Sequence, residues 1–73
     1  MSTLTTLARE ARIASLQALI ERERAVRLAH LHTGEDLLEL YRRSDAAFDA
    51  AGDAWSRLLL ACQAADAKEA GRG

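Results

Sequence analysis

In the second half of this 73-residue chain, Leu37, Tyr41, Ser44, Phe48, Ala51, Trp55, Leu58, Cys62 and Ala65 follow one another at alternating spacings of four and three. The alternation runs over four heptads without a slip. It is the repeat of an α-helix lying along a neighbour, and no strand, with its period of two, can use it. A straight helix drifts only ~20° per heptad against such a repeat, so residues seven apart stay in one row. The chain's three aromatic residues, Tyr41, Phe48 and Trp55, all fall on this seam at that interval.

The remaining residues agree with helix throughout. Alanine supplies 16 residues, leucine 12 and proline none. Ala and Leu are strong helix formers, and Pro is the strongest breaker. Beyond Arg9 the only β-branched residues are Ile13, Ile20, Val26 and Thr33, too few to build strands. A first helix is expected over about 4–31, its start offered N-cap oxygens by Ser2, Thr3, Thr5 and Thr6. Ile13, Leu16 and Ile20 form its large apolar stripe, which the ERER run at 21–24 interrupts. A narrower stripe of Leu7, Ala11, Ala14, Ala18, Ala25 and Leu28 lies on another face. Next comes HTGED, residues 32–36. Gly34 can take the left-handed conformation that closes a helix. Thr33 is placed to cap the next one, with Asp36 at the third helical position. Glu35 and Asp36 suit a helix start, and His30 and His32 a helix end. The reading is one all-α domain over 1–73: an antiparallel two-helix hairpin with a turn at 32–35, a second helix over about 35–68 and a frayed tail at 69–73. A single helix continuing through Gly34 is the alternative.

Folding at Gly34 sets Ile20 roughly level with Phe48, Ile13 with Trp55, Leu16 with Gly52 and Arg27 with Tyr41. One hairpin cannot cover all the apolar surface. Leu37, Leu38 and Leu40, and again Leu58, Leu59 and Leu60, spread it widely; three consecutive residues span ~200° of a helix. A chain this short buries only about 60% of its unfolded surface, and with Cys62 as its one cysteine it can form no internal disulfide. Self-association into a homodimeric four-helix bundle is therefore expected. Ile13, Leu16, Ile20, Leu37, Phe48, Ala51, Trp55, Leu58, Leu59 and Cys62 are assigned to the core or dimer seam.

The formal net charge of −1 supplies no basic field for nucleic acid or an anionic membrane. The N-terminus does not read as a signal peptide, and no run approaches the ~20 apolar residues of a membrane span. A cytoplasmic protein is expected. Asp45, Asp49 and Asp53 stack one acidic row, while Glu39–Arg43 and Asp53–Arg57 have favourable ion-pair spacing. No phosphate-binding loop, nucleophile–base arrangement or metal-ligand spacing is present in the sequence, so no catalytic residue, cofactor or metal is assigned and no enzymatic activity is expected. Tyr41, Leu38, Arg42, Asp45 and Asp49, at the start of the second helix, are the expected partner-binding residues. Tyrosine is enriched at binding hot spots because it joins a large ring to a polar tip.

The hairpin turn HTGED and the Tyr41-bearing start of the second helix resemble, in size and two-helix plan, small phage-encoded regulators of the quorum-sensing anti-activator type. That resemblance implies a homodimer that binds and inhibits a host regulatory protein such as a transcriptional activator, and a second host protein such as a pilus motor ATPase. At the level of architecture the chain also looks like the Rop-type plasmid RNA-binding bundles, which would imply nucleic acid instead. A structural subunit of a larger assembly is the third reading.

Overall fold

A computed structural model describes residues 3–71. Ser2, one of the four candidate caps, and Arg72 and Gly73 of the tail lie outside the described residues. Two helices account for nearly all the rest. Helix α1 spans Thr3–Leu28, a 3-10 turn follows at Ala29–Leu31, and helix α2 spans Glu35–Ala70. Among the described residues there is no strand. No helix there is long and apolar enough to cross a membrane.

The reversal sits at HTG, and its mechanics differ in one respect from the sequence reading. Leu28 ends the α-helical path, and the chain tightens into the 3-10 turn. The His32 N–H closes that turn by donating to the Ala29 carbonyl at 3.3 Å. His32 is then extended, with φ −127° and ψ 151°. Gly34 follows at φ 60° and ψ −129°, a region that a side chain makes costly. The Gly34 carbonyl accepts the first helical bond of α2 from the Leu38 N–H at 3.1 Å. The N-cap is thus Gly34 and not Thr33, and no side chain caps this end. Once the backbone of Gly34 has turned the chain, Thr33 sits one residue outside the helix. Glu35 and Asp36 occupy the first turn of α2 as expected. The chain does not continue as one helix, and α2 holds to Ala70, two residues beyond the expected end. There the Gly71 N–H donates to the Ala67 carbonyl at 3.0 Å.

Between the helices the core is built of methyl groups. Ala11, Ala18 and Ala25 are 0%, 1% and 2% exposed, and Ala51 and Ala54 are also buried. Ser44 is the buried polar residue among them. Half-buried Leu7, Ala14 and Leu28 of α1 extend this seam, as do Leu37, Leu40, Ala47, Leu58, Ala61 and Ala65 of α2. On α1 this is the narrow alanine stripe. On α2 it keeps Leu37, Ser44, Ala51, Leu58 and Ala65 from the expected seam. Leu40, Ala47, Ala54 and Ala61 complete it in place of Tyr41, Phe48, Trp55 and Cys62. Helices that meet through alanines leave no room between them for a ring. Of the residues expected in the core or dimer seam, Ile13, Leu16, Ile20, Phe48, Trp55 and Leu59 are accordingly exposed in the single hairpin, Leu37, Leu58 and Cys62 are half-buried, and Ala51 is buried.

The result is a slab of 60 × 19 × 13 Å. Its thickness is that of one helix with side chains. Each methyl removed from water contributes only about 0.8 kcal/mol, so a core in which no large side chain of the described residues is fully buried gives the hairpin little stability of its own.

Candidate interaction surface

Two broad faces flank the alanine seam, and one contact fixes which residues share each. The Trp55 indole Nε1–H donates to the Ser15 hydroxyl oxygen at 2.6 Å. Ser15 lies four residues after Ala11 and three before Ala18, just to one side of the seam on α1. Trp55 lies four after Ala51, just to one side on α2. Phe48 and Tyr41 repeat the Trp55 position one and two heptads earlier, and Leu19 and Val26 follow Ser15 at helical spacing. One face therefore carries all three rings with Leu19 and Val26. Tyr41, Phe48 and Trp55 are 46%, 41% and 47% exposed.

The other face carries Ile20. With Gln17 and Glu21 of α1 it lines an open depression against Arg43, Ala46 and Ala47 of α2. Ile13, seven residues before Ile20, lies on the same side, and Leu16 and Leu60 are also exposed. The expected levels along the hairpin hold to within two residues, since Ser15 meets Trp55 where Ile13 was expected. The expected contacts do not hold: Ile20 and Phe48 belong to opposite faces.

The expected partner residues are split by the same geometry. Leu38 and Arg42 line a second shallow depression with Glu35, Asp36 and Glu39, at the outer edge where α2 begins. Arg42 Nη1 lies 3.4 Å from Glu39 Oε2. Glu39 thus reaches the arginine three residues on rather than Arg43, and the pair is too exposed to add much stability. Asp45 and Asp49 continue along α2, both exposed. Tyr41 stands with the other rings instead of lining the depression.

Comparison of the chain with protein-family models, curated proteins and solved structures found no match. The surface itself is then the guide to function. Among the described residues no group of three His, Cys, Asp or Glu side chains is placed to hold a metal ion. Ser15, with Leu19 and Val26, contributes to this surface without having been assigned to it from the sequence. For Ser15 the signal was its level: a hydroxyl within two residues of the position expected opposite Trp55.

Proposed function

We propose that the chain is a non-catalytic protein-interaction module that works as a homodimeric four-helix bundle and binds and modulates a regulatory protein. The observation that carries this reading is the exposure of all three rings on a hairpin whose own core is complete without them. Large apolar side chains collected on one face mark an interaction surface. The outer edge of α2, with Leu38, Arg42, Asp45 and Asp49 and with Tyr41 at its margin, is the surface for the second protein. Its acidic row steers a basic partner toward it more than it adds affinity. A cytoplasmic setting suits the lone Cys62 thiol.

Light scattering at micromolar concentration tests the first half of this reading: it should give twice the chain mass of 8.0 kDa, and a monodisperse monomer overturns it. For the second half, Asp49→Arg with Arg42→Glu should keep the dimer mass and lose a stoichiometric partner that the unaltered chain captures from lysate of its native host. An unchanged capture profile sinks the edge assignment, and salt-sensitive retention on RNA would favour the Rop-type reading instead.

A further inference from the structure

Gly52 is the feature of the ring-bearing face that the hairpin does not explain. It lies in the interior of α2, where glycine costs about 1 kcal/mol relative to alanine. A Cβ built there meets nothing within 4 Å, so no close approach inside the hairpin requires its absence. Gly52 is four residues after Phe48 and three before Trp55, which puts it on their side of the helix. The Trp55 indole is drawn over toward α1 by its bond to Ser15. That leaves an open gap beside Phe48, where any other residue would place a side chain.

The hairpin also exposes more surface than a compact monomer of its mass. Its accessible area is 5770 Å². A compact monomer of 8.0 kDa exposes about 4,450 Å². The excess of about 1,300 Å² is more than the roughly 800 Å² that each partner gives to a standard interface. The radius of gyration of 17.2 Å, against about 11 Å for a compact chain of this length, describes the same open slab. A second copy removes this excess from both chains at once.

We infer that the ring-bearing face is the homodimer interface, with each Phe48 ring seated in the gap over Gly52 of the second copy. This rests on the self-association reading above and gives it a register. The ring row, Tyr41, Phe48 and Trp55, and the row beside it, Asp45, Gly52 and Leu59, both repeat every seven residues. A two-fold axis across the two α2 helices, level with the midpoint of Phe48 and Gly52, sets one row against the other in antiparallel sense. Phe48 then meets Gly52 twice, Tyr41 falls level with Leu59, and Trp55 with the short Asp45. One symmetry operation satisfies every ring, as a self-complementary two-fold contact demands. Tyr41 and Asp45 then belong to the dimer, and the outer edge of α2 retains Leu38, Arg42 and Asp49.

The test exchanges the ring and the gap. Phe48→Gly empties the ring position, and Gly52→Phe overfills the gap while leaving α2 a better helix former. Each alone should raise the dimer dissociation constant, measured by sedimentation equilibrium, at least about tenfold. The exchanged pair, Phe48→Gly with Gly52→Phe, restores one ring and one gap at each contact. It should return the constant to within about threefold of the unaltered chain, with far-UV circular dichroism showing retained helix. An exchanged pair no tighter than either single variant overturns the register. Single variants as tight as the unaltered chain place the dimer on the Ile20 face and overturn the assignment. An unaltered chain that stays monomeric overturns self-association itself.

Discussion

At the residue scale, the surface is held in place by few polar contacts, and each has a separable effect. The Ser15 hydroxyl fixes the lean of the Trp55 indole but lies in an exposed pair, where water can replace it. Ser15→Ala should therefore lower stability by about 1 kcal/mol at most. The urea midpoint should fall with the slope unchanged, and the fluorescence of Trp55, the only tryptophan, should report the freed ring. A much larger loss would mean that the bond shapes the hairpin and not only the ring. Ala18 contrasts with it. At 1% exposed it has no room to grow, and Ala18→Leu should cost about 1–3 kcal/mol by forcing the helices apart. Ile13→Ala, at an exposed position, should change the stability of the isolated hairpin by less than 0.5 kcal/mol or so. Equal losses at both positions in thermal melts at low concentration would contradict an alanine core.

At the element scale, the turn depends on one residue's backbone. Gly34 holds φ 60° and ψ −129° with open space where a Cβ would go, so substitution is opposed by the backbone and not by a neighbour. Gly34→Ala should cost about 1–3 kcal/mol. Synthetic chain with D-alanine at 34 should be at least as stable as the glycine chain, because those angles are favourable for the mirror-image residue and the unfolded chain loses freedom. Chemical denaturation of the three chains decides it, and equal losses for both alanines would show steric conflict instead. Gly34, the helix extents and the seam positions Leu37, Ser44, Ala51, Leu58 and Ala65 are legible from spacing and turn chemistry alone. The other half of the seam is not. Rings and leucines dominate any hydrophobic pattern, whereas an alanine contact is selected by how closely two backbones approach, and Ala47 or Ala54 carries little signal of that. Phe48 and Trp55 have the right period for a core and lie about one residue to the side of it. The same applies to the candidate site: Leu38, Arg42 and Asp49 can be read as an exposed edge from charge and position, but the grouping of Tyr41 with the other rings depends on which stripe α1 buries.

At the scale of the whole molecule, the proposed dimer would make folding and association of the thin slab parts of one equilibrium. Among the described residues the hairpin fully encloses alanines and Ser44 while its leucines stay half-buried or exposed, so under the proposed dimer a second copy would add much of the apolar burial. Its stability should then depend on its own concentration. For a folded dimer that unfolds to two chains, each tenfold rise in concentration adds about 1.4 kcal/mol per mole of dimer. With a slope of about 1–3 kcal/mol per molar urea, the midpoint should move up by roughly 0.5 to 1.4 molar per tenfold. Phe48→Gly should flatten that dependence and leave a low, concentration-independent midpoint for the isolated hairpin, whereas Ala18→Leu should lower the midpoint at every concentration and keep the slope against concentration. The two variants thus separate the surface proposed to join copies from the seam that joins helices. A midpoint of the unaltered chain that ignores a hundredfold change in concentration would mean that the alanine seam alone holds the fold and that the rings are left free for another protein.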